Sequence, residues 1–81
     1  MEEKERIRAF IGQYVWRQVL NDEDIFASGL VDSLFALQLV LFVEGEFSIK
    51  IGREDLDLKH FRTVDSLARL VRRKMGQPGA S

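Results

Sequence analysis

Eighty-one residues make one small domain with a single apolar core, and leave little room for a deep substrate cavity as well. Hydrophobic residues at 46% and charged residues at 31% describe an ordinary globular chain, with disorder expected only at the ends. Twelve basic against 13 acidic residues, a net charge of −1, argue against a nucleic-acid binder, and the absence of cysteine excludes disulfides, thiolate metal sites and a cysteine nucleophile.

Any thiol chemistry must therefore arrive on a cofactor. Met1-Glu2-Glu3-Lys4-Glu5-Arg6 is too charged for a secretory signal, and the longest apolar run, Leu39 to Val43, is too short to span a membrane. A cytoplasmic protein is the expectation.

Ile7, Phe10, Ile11, Tyr14, Val15 and Gln18-Val19 fall at helical spacing and predict a first helix, with Glu2, Glu3 and Glu5 near its N-terminus. The polar cluster Asn21-Asp22-Glu23-Asp24 predicts its end near Leu20. Ile25 to Val31 has no sustained period and reads as a loop pinned onto the core, with Gly29 free to take unusual backbone angles.

A second helix is predicted from Ser33 to Phe47, with Asp32 and Ser33 as capping residues. Leu34, Leu37, Val40 and Val43, with Leu41 and Phe47 nearby, read as its inward stripe. Phe35, Leu39 and Phe42 widen the apolar surface beyond what one face can bury. Gly45 suggests fraying or a close approach near the helix end.

Ser48 to Gly52 alternates in polarity but has no strand to pair with, so an extended connection is expected. Glu54 to Leu58 can form one or two helical turns. Thr63 caps a last helix that buries Val64, Leu67, Leu70 and Val71, with Arg72, Arg73 and Lys74 suiting its C-terminal dipole. The expected fold is all-α: a three-to-four-helix bundle over residues 1–75, with a long loop between the first two helices and a flexible tail over 76–81.

The informative stretch is Asp22 to Leu34, which places the Ser33 hydroxyl beside Asp32 at the start of a helix. Unpaired amides and a partial positive charge make that position favourable for a phosphate, including one esterified to serine. Asp32 could also help position magnesium during a phosphoryl-type transfer. The simplest reading of Ser33 is a plain helix cap. Asp65-Ser66-Leu67 repeats the tripeptide without a preceding glycine loop, and there Ser66 reads as a first-turn polar residue. His60 reads as a surface residue, Asp22, Glu23 and Asp24 as a solvated turn, and Trp16 as a side chain packed on the loop. No metal site is expected.

Gly29-Leu30-Val31-Asp32-Ser33-Leu34, followed by Glu44-x-x-Phe47-x-Ile49-x-Ile51 and Phe61-x-Thr63-Val64, resembles the acyl and peptidyl carrier protein family over about residues 3–75. The resemblance implies a stand-alone carrier, not an enzyme, whose Ser33, flanked by Asp32 and Leu34, receives 4′-phosphopantetheine from coenzyme A. It implies a phosphopantetheinyl transferase, an acyl- or aminoacyl-loading enzyme and downstream synthase or modifying enzymes as partners of a monomer.

The family uses the second helix for recognition, often with several acids. Phe35, Gln38, Leu41 and Phe42 stand where charges are usual, so docking is expected to be apolar and little affected by salt. Two pathways fit the motif: a carrier for polyketide or nonribosomal secondary metabolism, such as extender-unit formation, which the Phe61 to Leu67 segment favours, and a D-alanyl carrier for cell-wall polymers. A cofactor-free helical interaction module is the alternative from another class.

Overall fold

The structure, a computed structural model, describes residues 3–76. Glu3 and Glu5 occupy the first turn of α1 (Glu3–Val15), where carboxylates offset the positive end of the helix. Ile7 and Ile11, one turn apart, are buried, and Phe10 and Val15 pack against the same core. The helix stops at Val15, short of the expected Leu20. Trp16 turns into the left-handed region at φ 62 while its N–H still bonds the Gly12 carbonyl at 2.8 Å. The chain then doubles back so closely that a Cβ on residue 12 would lie 3.1 Å from the Arg17 oxygen. Val19 keeps the helical period and is buried, but it reaches the core from the loop.

α2 (Ser33–Phe47) buries Phe35, Leu39, Val43 and Phe47, one residue per turn. Of the expected inward stripe, Val43 and Phe47 are buried and Val40 packs on the core, but Leu34, Leu37 and Leu41 lie on the surface, and Phe35 and Leu39 take the inner face. Nearly every position of α2 is apolar, so spacing alone cannot pick the inner face; aromatic packing against α1 picks it. Phe10 stacks on Phe42 with centroids 4.2 Å apart, and Tyr14 lies 4.1 Å from Phe35. Arg6 pairs with Glu46 at 3.2 Å and covers the Phe47 ring. These contacts run in opposite chain order, so α1 and α2 are antiparallel. Gly45 marks neither fraying nor a close approach, because the helix continues to Phe47 and a Cβ there would meet open space.

Ser48, left-handed at φ 55, ends α2 with its N–H bonded to the Glu44 carbonyl. The following segment takes no regular structure, and Ile49 and Ile51 pack on the core. Two single 3-10 turns follow, Arg53–Asp55 and Leu58–His60. Asp55 is buried, accepts from the Gly52 N–H at 3.2 Å and meets Lys74 at 2.8 Å, which ties this connection to the end of the last helix.

α3 (Val64–Met75) packs against α1 and buries Val64, Leu67, Leu70 and Val71, as its spacing predicts, together with Ala68. The fold is an all-α bundle of three helices, with no strand among the described residues. None of those helices is long and apolar enough to cross a membrane. Of the expected tail, residues 77–81 lie outside the described residues.

Candidate functional site

The loop leading to Ser33 is held by its own turns and by the lead-in to α3. Asp24 receives the N–H groups of Phe26 and Ala27 at 3.1 and 2.8 Å, and the Arg62 guanidinium reaches its other oxygen at 3.0 Å. The hydrogen bond from Ala27, helped by Arg62, holds the Asp24 carboxyl below the usual carboxylate range. Asp24 is thus a turn-former and ion-pair partner, more than the solvated residue the sequence suggested. Glu23 likewise accepts from the Leu20 N–H and pairs with Arg17.

Ile25, fully buried, donates its N–H to the Arg62 carbonyl at 2.9 Å, and the Asp65 N–H reaches the Asn21 carbonyl at 2.9 Å. The Gly29 N–H closes a turn on Phe26 at 3.1 Å, with Gly29 at φ 79, where a side chain would be strained. The Val31 N–H then bonds back to Ile25 at 3.3 Å, and the buried Val31 fixes where the chain leaves the core. The next two residues are Asp32 and Ser33.

Asp32 is the N-cap of α2, extended in backbone, with Oδ1 accepting from the Phe35 N–H at 3.1 Å. The first helical bond runs from the Ala36 N–H to the Asp32 carbonyl at 3.2 Å. The N–H groups of Ser33 and Leu34 therefore precede the helical ladder and point past its positive end. Ser33 and Leu34 are both exposed, so a phosphate ester at Ser33 would find amide donors, helix dipole and solvent at one place. The residues present fit such a group.

Ser66 has a different environment. Its N–H and hydroxyl form a capping box with Thr63, and its hydroxyl also reaches the His60 carbonyl at 3.1 Å. The tripeptide is the same, but this hydroxyl is spent on the start of α3.

Among the expected docking residues, Phe35 is 0% exposed and is removed from that role. Its ring is enclosed by Tyr14 and Phe10, an arrangement invisible to a reading of α2 alone. Phe42 is half-buried on Phe10, whereas Gln38 and Leu41 are exposed. The surface beside Ser33 is instead a stripe of Leu34, Leu37 and Leu41 at helical spacing. Leu37 was missed because it had been assigned inward; the signal was the four-residue spacing of Phe35, Leu39, Val43 and Phe47. Trp16 stands 92% exposed, packed on nothing in the loop, and His60 is half-buried. Among the described residues no group of three acidic or histidine side chains is placed to hold a metal.

No protein-family model matches the chain. It is similar to the D-alanyl carrier proteins of Lactococcus lactis subsp. cremoris (strain MG1363) and subsp. lactis (strain IL1403). Each is 32% identical over 53 residues, 65% of this chain and 67% of theirs. The D-alanyl carrier protein of Enterococcus faecalis (strain ATCC 700802 / V583) is 34% identical over 56 residues, 67% of this chain and 72% of its own.

Proposed function

The chain belongs to the acyl and peptidyl carrier protein family as a stand-alone carrier, and from that premise we propose that it holds a small aminoacyl unit, D-alanine, as a thioester on a 4′-phosphopantetheine arm at Ser33. It is a carrier and not an enzyme. The relatives favour this cargo over the secondary-metabolite role that the Phe61 to Leu67 segment suggested.

The observation that carries the proposal is the exposed Ser33 at the first position of α2, with its own N–H and that of Leu34 ahead of the first helical bond. In the attachment step Ser33 Oγ attacks the phosphorus that bears pantetheine in coenzyme A. The Oγ–P bond forms, the pyrophosphate P–O bond breaks, 3′,5′-ADP leaves, and the hydroxyl proton passes to a base on the transferase. The Ser33 and Leu34 amides suit the charge of the resulting phosphodiester. The arm supplies the terminal thiol that this cysteine-free chain lacks.

The carrier acts as a monomer in the cytoplasm, where coenzyme A is available, and meets a transferase, a D-alanine-activating enzyme and an acceptor-side partner in turn. Leu34, Leu37 and Leu41, with Gln38 and the uncovered edge of Phe42, form the docking stripe. Its apolar character makes these contacts weakly salt-dependent, and turnover requires them to be small.

Incubation with coenzyme A, magnesium and a broad-specificity phosphopantetheinyl transferase, followed by mass measurement, tests the attachment. One arm should be gained by the native chain and by Ser66→Ala, and none by Ser33→Ala. A cofactor-free interaction module would gain nothing. Thioester-linked cargo released by hydroxylamine from protein isolated from its own cells tests the pathway: D-alanine supports the proposal, and a malonyl-type unit overturns it.

A further inference from the structure

Trp16 is the sole tryptophan of the chain. It follows α1 directly, in a left-handed backbone at φ 62, and is 92% exposed. A glycine or asparagine would take that conformation more readily, and the indole recovers nothing by packing. A bulky ring held at a backbone cost with no role in the core points to a role at the surface.

Its position narrows that role. Because α1 and α2 are antiparallel, with Tyr14 lying 4.1 Å from Phe35, the end of α1 and the start of α2 share one end of the bundle. Trp16 follows Tyr14 by two residues and Ser33 precedes Phe35 by two. Tyr14, at that end of α1, is itself 46% exposed.

We propose that Trp16, with Tyr14 beside it, is the resting surface for the arm on Ser33: the planar amides and methylenes of the arm lie along the indole face between visits to enzymes. This rests on the reading of Ser33 given above. A tethered ligand has an effective concentration of roughly millimolar, so the indole and Tyr14 faces together need an intrinsic affinity of only about millimolar to hold the arm half of the time. A protein partner would need an interface on the order of 1,000 Å². The exposed residues directly after Trp16 are Arg17 and Gln18, which interrupt any broad apolar patch there.

The lone indole makes its own reporter. Apo chain is converted to holo chain, the gain of one arm is confirmed by mass, and indole emission and acrylamide quenching are compared. The emission should move to shorter wavelength, and the quenching constant should fall about twofold as one of the two ring faces is covered. Ser33→Ala taken through the same treatment should keep the apo values. Full arm gain with unchanged emission and quenching overturns the inference while leaving the attachment site intact. So does protection that appears only after a partner enzyme is added, since the surface would then belong to that protein. Failure to gain the arm overturns both readings.

Discussion

The carboxylate of Glu44 accepts a hydrogen bond from the main-chain N–H of Ile51 at 2.9 Å, and the carbonyl of Glu44 takes the N–H groups of Ser48 and Ile49. One residue thus closes α2 and steers the chain beyond it, so that Phe47, Ile49 and Ile51 turn onto the core. The spaced pattern Glu44, Phe47, Ile49, Ile51 is in this chain a device for ending a helix and folding the following segment back onto the core.

Glu44→Ala would strand the Ile51 N–H, and the expected loss is about 1–2 kcal/mol. Glu46, in an exposed pair with Arg6, should cost under about 0.5 kcal/mol when changed to alanine. Urea midpoints of the two variants check this, and equal losses would refute the assignment of Glu44.

Phe35 and Leu41 separate fold from docking. Phe35→Ala should cost about 3–5 kcal/mol, most of the stability of a domain of this size. Leu41, 69% exposed, should change stability by less than about 0.5 kcal/mol while lowering kcat/KM for arm transfer. Thermal melting alongside transfer kinetics distinguishes them: a stable Phe35→Ala or an unstable Leu41→Ala would contradict the observed face of α2.

α2 and α3 show why some of the molecule was legible in the sequence and some was not. α3 alternates charged and apolar residues, so its spacing named Val64, Leu67, Leu70 and Val71 correctly. α2 offers no such contrast, and its orientation depends on rings contributed by α1. The end of α1 was hidden because Val19 stays in phase with the helix after the chain has left it. Ser33 could be told from Ser66 by its preceding loop, since a glycine-containing turn brings the chain to one serine and a capping threonine stands three residues before the other. The Asp55–Lys74 pair joins residues that only the tertiary fold brings together.

That pair also makes the chain sensitive to acid. Hydrogen bonding from Lys74, with help from the Gly52 N–H and the charge of Arg73, holds the Asp55 carboxyl below its ordinary value. As pH falls, the unfolded chain takes up the proton first. The stabilisation is therefore complete above about pH 4 and is lost as pH drops through the lower folded value. Unfolding midpoints followed downward from about pH 6 should show a shallower acid limb in Asp55→Asn. An unchanged limb would mean that other carboxylates govern it.

Two exchanges involving glycine should both stabilise the chain, for opposite reasons. Gly45→Ala adds a helix former where a Cβ meets open space, and should gain roughly 0.5–1 kcal/mol. Trp16→Gly relieves the left-handed backbone at the end of α1 and should gain up to about 1 kcal/mol. Higher melting temperatures are expected for each, and a fall for Trp16→Gly would mean that the indole packs in solution.

The stitches between the loop and the lead-in to α3 bear on how Ser33, the proposed attachment point, behaves over time. Ile25 bonds the Arg62 carbonyl, Asp65 bonds the Asn21 carbonyl, and Arg62 clasps Asp24. The approach to Ser33 is therefore braced at both walls of the bundle, like a strut rather than a hinge. Amide protons of Ile25 and Asp65 should exchange in step, as members of one opening unit. With the proposed attachment at Ser33, each successive enzyme would meet the same rigid mount, and the reach needed to travel between them would belong to the swinging prosthetic chain alone.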